Sequence, residues 1–467
     1  MLESPSSPSP LISLSPSPLQ ERQAVASLSV LYAFRMLGLF MVLPVLALYS
    51  DSYSGSTAVL MGLALGAYGC SQALLQIPFG MLSDKVGRKP VIALGLVIFA
   101  IGSVVAAQAD SVYELIFGRF LQGCGAIASA LMALVSDLTS EENRTKAMAS
   151  IGASIGLSFS LALVLGPLLA AAGGMSLIFS TTAFLALFGL LILWRWVPSP
   201  KTQERRHREA GAVPELFWRT LKNRELLRLN FGIFVLHACL MASFLVLPTI
   251  LEVDLGFDRS QHWVIYLSLL LSAFVVMLPF IIVAEKRRQI KPIFVIAVAL
   301  LMCVLLMQWG LQAWLPYSSV WMLLAVFLFF VAFNLLEATL PSLVSKVAPA
   351  GSKGTAMGLY STCQFLGAFL GGVTGGVVLQ GFGAEAVYLL CAGLALLWLL
   401  VAIAMRPPSF LSGVFISLDG CDLPTAASAL RKVTGVHELV LIEEECAAYL
   451  KVDPREFDRE AAAAIGC

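Results

Sequence analysis

Charge is what this sequence has least of: only 13% of its 467 residues are Asp, Glu, Lys or Arg, against 58% hydrophobic. Soluble proteins carry about 25% charged residues. A soluble globule this apolar would expose too much apolar surface to stay dispersed. The formal net charge is +1, so there is no basic footprint for nucleic acid. Histidines number four and lie far apart, and no HExxH, GxSxG or phosphate-binding P-loop occurs. No enzyme, ATP-driven pump, cofactor or metal site is therefore expected. The nine cysteines never stand at CxxC spacing, and most sit in apolar runs. They read as small hydrophobes rather than a disulfide or metal framework.

What the chain does have is long apolar runs. A helix needs about 20 mostly apolar residues to cross hydrocarbon. Twelve such stretches fit the sequence, roughly 24–49, 58–79, 91–107, 112–136, 147–171, 177–197, 229–251, 263–284, 293–309, 321–345, 354–377 and 386–405. The expected fold class is thus an all-α polytopic membrane protein. Residues 1–22 are rich in Ser and Pro, lack the basic start of a signal peptide, and read as a disordered leader.

Charge sets the orientation. With the N-terminus inside, the inner loops hold clusters such as Lys85, Arg88 and Lys89, Arg205 to Arg208, and Lys286 to Arg288, while the outer loops hold only Arg259. This is the positive-inside pattern, and it places both termini in the cytoplasm.

The chain also repeats itself. Leu134-Val135-Ser136-Asp137 through Met148 aligns without gaps on Leu343-Val344-Ser345-Lys346 through Met357, and Val42-Leu43-Pro44 is echoed by Val246-Leu247-Pro248. Two six-helix bundles follow, 23–198 and 229–406, joined by a basic cytoplasmic linker, 199–228, with a site expected between them at the midplane. After Met405 the pattern changes to βαββα over 412–467, which suggests a small α+β ferredoxin-like domain. Self-association or a regulator is the partner expected for this tail. Its loop Asp419-Gly420-Cys421-Asp422 offers one thiol, so no tight metal site is expected in a monomer.

The loop between the second and third spans reads Gly80-Met81-Leu82-Ser83-Asp84-Lys85-Val86-Gly87-Arg88-Lys89-Pro90. Gly80 and Gly87 permit close approach and a tight turn. Asp84 can accept from backbone N–H groups at a neighbouring helix end, and Arg88 offers a planar fork for which Asp137 is a candidate partner. The plainer alternative is that the basic residues only anchor the loop inside. This loop resembles, nearly residue for residue, the signature loop of the major facilitator superfamily. The resemblance implies a twelve-helix fold in two halves and a network that latches the halves in the outward-facing state.

Arg119-Phe120-Leu121-Gln122-Gly123 resembles the second motif of the proton antiporters of that family, whose Arg is associated with proton coupling. The competing reading is a snorkelling Arg near the outer surface. Gly166-Pro167 resembles the antiporter motif of span five, although Ala170, Ala171 and Ala162 stand where glycines are usual. Arg35, His237 and Glu337 are out of place in lipid, and one cavity could gather all three. Asn334 lies one turn from Glu337. Gln72, Gln76 and Gln364 read first as interhelical glue. An ionised Glu337 is costly unless paired, and held between burial and a nearby Arg35 it could take up and release the coupling proton; the competing reading is a permanent Arg35–Glu337 pair that only braces the two halves. For His237 a buried, satisfied imidazole is the dull alternative.

The resemblance implies proton-coupled export of a small amphipathic solute, drug-like, in a bacterial inner membrane. Symport, uniport, or a membrane sensor on a transporter fold are the alternatives.

Overall fold

The computed structural model describes residues 18–139, 141–199, 220–314, 318–350, 352–407, 411–418, 420–442, 446–453 and 455–465. Residues 1–17 of the expected leader and 200–219 of the expected linker lie outside them. Eleven helices of the described residues are long and apolar enough to cross a bilayer. In order they are α1 (Pro18–Phe40), α2 (Ala58–Val86), α3 (Arg88–Ala107), α4 with α5 (Val112–Cys124, Ala128–Asp137), α6 (Glu141–Arg195), α7 (Arg224–Thr249), α8 (His262–Lys286), α9 (Ile290–Ala313), α10 (Ser319–Val347), α11 (Lys353–Phe382) and α12 (Ala384–Ile403). The twelfth expected span is inside α6. Its 55 residues would measure about 80 Å at 1.5 Å per residue, more than twice the roughly 30 Å hydrocarbon layer. The helical path breaks at Gly173 and Gly174, where Gly174 takes φ +65°, a conformation glycine reaches without steric cost.

Three expectations are corrected. The helix α1 begins at Pro18, inside the leader assigned to 1–22, because Glu21 is buried and accepts from Asn143 Nδ2 at 3.2 Å. The first span is not one helix to Tyr49. It ends at Phe40 and passes through turns around Pro44 into a 3-10 segment, Leu46–Ser52. The same happens at the repeated proline, where α7 gives way after Pro248 to a π segment, Ile250–Asp254. Proline has no backbone N–H to donate, and each echo marks a helix disruption. The fourth span is also broken, at residues 125–127.

Helices α1 to α6 pack among themselves, as do α7 to α12, and α2 meets α11 between the two groups. At that seam Gly62 faces the backbone of Gly372 and Gly376, and Gly66 faces that of Phe369, with no room for a Cβ. The seam lies at the end away from the basic loops. There Val59 N donates to Gln380 Oε1 at 3.2 Å, and the Arg259 guanidinium stacks 5.4 Å from the centre of the Tyr49 ring. At the basic end Met81 and Val86 are exposed, and a side chain added at Gly152, Gly156 or Gly358 would meet open space. The molecule is closed at one end and open at the basic end.

The tail forms a three-stranded antiparallel sheet in the order β1 (Ser412–Ser417), β3 (Ala447–Val452), β2 (Val436–Ile442), with α13 (Leu423–Leu430) and α14 (Arg459–Ala463). Ala448, Leu450 and Val452 of β3 join Leu430 and Ala462 in a core of its own. The other face of β3 is buried too. Ala447 and Tyr449 pack on Ala350, and Lys451 Nζ donates to the Lys346 carbonyl at 3.0 Å. The tail is therefore seated on the loop that joins α10 to α11. The chain end returns to the loop after β1, so that the Ile465 carbonyl lies 3.7 Å from Cys421 Sγ. Spacing along the sequence does not reveal that approach.

Candidate functional site

The loop residues come together at the basic end. Gly87 caps α2 and starts α3 with φ +109°, which turns the chain tightly enough to set Arg88 over the last turn of α2. Arg88 then pairs with Asp84, donates from Nη1 to Ser83 Oγ at 2.7 Å, and donates from Nε to Asp137 Oδ2 at 3.1 Å. Ser83 in turn donates to the Gly80 carbonyl, and Gly80 packs closely on Ser129 of α5. The five expected latch residues thus form one network. Among the described residues Asp84 caps no neighbouring helix, and its Oδ1 is held by Arg88. The network ties α2, α3 and α5 and does not reach α11 among the described residues.

Inside α1 to α5 two arginines are fully enclosed. Arg35 Nη2 donates to Gln72 Oε1 at 2.6 Å and to the Gly125 carbonyl at 3.0 Å. That carbonyl is available because the helix breaks there, and a regular helix would have used it. Gln72 passes the chain on to Gln76 at 2.7 Å. Arg119 does not snorkel. It is 1% exposed, donates to Gln122 Oε1 at 2.9 Å and to the Ala64 carbonyl, and Gln122 reaches Ser103 at 2.8 Å. Both guanidiniums lie against the Tyr68 ring, at 5.8 Å and 5.4 Å from its centre, where the ring face attracts cations.

Glu337 has other company. Gln364 of α11 lies with Nε2 2.8 Å from His237 Nε2 and 3.4 Å from Glu337 Oε1. His237 Nε2 is 4.0 Å from Glu337 Oε2. The expected single constellation of Arg35, His237 and Glu337 is therefore two. Arg35 is committed to the first group of helices, and Glu337, on α10, meets His237 of α7. The sequence reading missed the role of Gln364, which joins three helices. The Glu337 side chain is 29% exposed and His237 6% exposed, but the exposure of Glu337 is not at its Oε2 atom, which is buried and makes no hydrogen bond among the described residues. Asn334 is half-buried one turn before it. Aromatic rings surround the site. Phe333 packs on His237 at 6.0 Å and on Phe159 of α6 at 5.5 Å, and Phe159 packs on Phe40.

Gly166 lies against the Met41 carbonyl and Pro44, where the first span is irregular, and Pro167 follows it inside α6. Tyr49 donates to the Ala170 carbonyl at 2.9 Å one turn on.

A transporter-like bundle with this loop is matched by the model of the Major Facilitator Superfamily over residues 28–372 and 313–414. The chain belongs to the major facilitator superfamily. Within the superfamily it is 46% identical to the inner membrane transport protein YajR of Escherichia coli strain K12, over 94% of this chain and 96% of that protein. It is 26% identical to multidrug resistance protein 2 of Bacillus subtilis strain 168, over 73% of this chain and 85% of that protein. The fold is also that of a solved D-xylose-proton symporter, with a TM-score of 0.65 and 17% identity over 84% of this chain and 99% of that one. The chain is thus a member of a transporter superfamily that includes drug-resistance proteins.

Proposed function

We propose that the protein is a secondary active transporter in which two six-helix halves rock about a central site, coupling proton entry to export of a small amphipathic solute. The observation that carries this reading is the Glu337–Gln364–His237 cluster. It is a carboxylate, an amide and an imidazole at span depth, contributed by three helices and rimmed by Phe333 and Phe159. An ionisable group in a span belongs to a pathway or relay by default. Aromatic rings at its rim suit a lipophilic solute.

The positive-inside pattern supports an orientation with the open end in the cytoplasm. The conformation described is then inward-facing, which agrees with a latch loop that holds only its own half. The tail, read as a ferredoxin-like domain seated on the α10–α11 loop, moves with the C-terminal half.

Purified protein in proteoliposomes, assayed for solute flux with and without a pH gradient, tests the proposal. Export that rises with the imposed gradient supports it. Flux indifferent to the gradient turns the reading to uniport. Absence of any flux favours the second reading, a membrane sensor. The seating of the tail on the Lys346 carbonyl is the observation that supports that role.

A further inference from the structure

The end away from the basic loops carries carboxylates on both halves, Asp51 on the first and Glu252, Asp254 and Asp258 on the second, but a single basic residue, Arg259. The positive-inside pattern disfavours a cation on that side, and the surroundings of this one supply a reason for it. Arg259 sits on a preset turn of the second half. Asp258 opens the turn, its carboxylate accepting from Ser260 N at 2.8 Å. His262, fully buried at the start of α8, ties the turn's end to the Phe257 carbonyl, 3.3 Å from its Nε2. Arg259 Nε donates to Glu252 Oε1 at 2.6 Å, on the π segment of the same half. That bond aims the guanidinium at the first half, where it lies 5.4 Å from the centre of the Tyr49 ring. Tyr49 is itself pinned, because its hydroxyl donates to the Ala170 carbonyl at 2.9 Å. Asp51, exposed on the same 3-10 segment as Tyr49, adds an attracting charge from the first half. The outer residues outside the described set, 315–317, are Leu, Pro and Tyr and bring no charge.

We propose that Arg259 is the clasp of the outer gate. It holds the second half to Tyr49 and Asp51 of the first while that end is shut, and gives up both when the end opens to release solute. The clasp rests on the rocking of two halves proposed above. Its contacts divide at the seam. Glu252 travels with Arg259, so their bond survives opening and keeps the guanidinium aimed. The Tyr49 ring and Asp51 stay with the first half, so only these contacts depend on conformation. Without the cation, Asp51 and Glu252 would lie on either side of the seam with no positive charge between them, and like charges repel. The Arg259 side chain is 45% exposed, which keeps the clasp as weak as a surface cation–π contact. A weak clasp lets the gate open in every cycle.

The test measures the width of the outer end in the full chain in nanodiscs, without reactive native cysteines. Spin labels go on Gln108→Cys and Ser319→Cys, exposed positions at the outer ends of α3 and α10, and pulsed electron resonance reads their separation. The parent protein is expected to show a dominant short distance and a minor long one. Arg259→Gln should raise the long fraction roughly two- to fivefold. Tyr49→Leu should raise it by a smaller factor, because Asp51 remains, and it carries the test alone if Arg259→Gln does not fold. The double variant should open no further than Arg259→Gln, since partners of one contact are not additive. Arg259→Lys keeps the cation and should restore most of the short population, which a purely structural role for the Glu252 bond does not predict. Two distances in an unchanged ratio across these variants, or additive shifts in the double variant, would overturn the clasp and leave the rocking of the halves intact. One distance in every protein would refute the rocking itself, and the clasp with it.

Discussion

Arg88 Nε meets Asp137 Oδ2 at 3.1 Å, and this contact joins the start of α3 to the end of α5. The two side chains are 15% and 32% exposed, so solvent screens the pair. Its loss is worth about 1 kcal/mol, not the 3–5 kcal/mol of a fully buried pair. Asp137→Asn is expected to lower thermal stability by that amount and to slow transport, with membrane insertion unchanged. Arg88→Ala should do more, because it also releases Asp84 and Ser83. Wild-type flux in both variants would remove the network from the transport cycle.

The seam between α2 and α11 is a second point of control. Gly62 and Gly372 approach backbone to backbone, which small residues permit in membrane helices. Gly62→Ala adds a methyl where none fits, at a cost of about 1–3 kcal/mol. That cost falls only on the conformation in which the seam is closed. The variant should populate the oppositely open state. Disulfide trapping between Val59→Cys and Gln380→Cys, in a background without reactive native cysteines, reads this out. Trapping should fall, by up to about fivefold for each 1 kcal/mol of that cost. Unchanged trapping would mean the seam tolerates the methyl.

Lys451 is the tail's polar link to α10. Burial pushes its ammonium below the usual lysine range, nearby Lys353 pushes the same way, and Glu438 opposes. The docked tail therefore binds fewer protons than the free tail. Raising pH through the alkaline interval between the two values should favour docking, and lowering it should return the tail to its weaker baseline. Lys451→Met keeps the stem and removes the donor, at a cost of about 1 kcal/mol. Amide exchange in β3 should then quicken about fivefold. Protection factors in β3 that are unchanged in the variant, or that rise as pH falls once the intrinsic pH dependence of exchange is divided out, contradict the docking role.

The span count, the loop network and the tail's βαββα order were legible in the sequence because each rests on local pattern: apolar run length, a dense motif, alternation. The site was only half legible. Glu337 and His237 stand out as charged or ionisable residues in apolar runs, but their pairing depends on how α7, α10 and α11 pack. Gln364 carries no signal that separates it from ordinary interhelical glue. Arg35 was assigned to the wrong partner because its acceptor, the Gly125 carbonyl, exists only where the fourth span breaks. Nothing in Gly123-Cys124-Gly125 distinguishes a broken helix from a flexible one.

Glu337 decides the coupling question. In the conformation described, its neighbours are His237 and Gln364, and Arg35 is engaged elsewhere. Among the described residues no Lys or Arg pairs with the carboxylate. Taking up a proton is then its route to neutrality at span depth, where an unpaired charge is expensive. A brace between the two halves through an Arg35–Glu337 pair is not available in this arrangement. Glu337→Gln preserves size and can still hydrogen-bond to Gln364, but it cannot release a proton. The variant is expected to insert normally and to lose gradient-driven export, with solute binding or passive exchange retained. His237→Asn tests the neighbour. If His237 only positions the carboxylate, this variant should shift the pH dependence of flux without abolishing its response to the gradient. Export by Glu337→Gln with an unchanged dependence on the pH gradient would exclude Glu337 as the coupling group and move attention to Arg119 and its Gln122 partner.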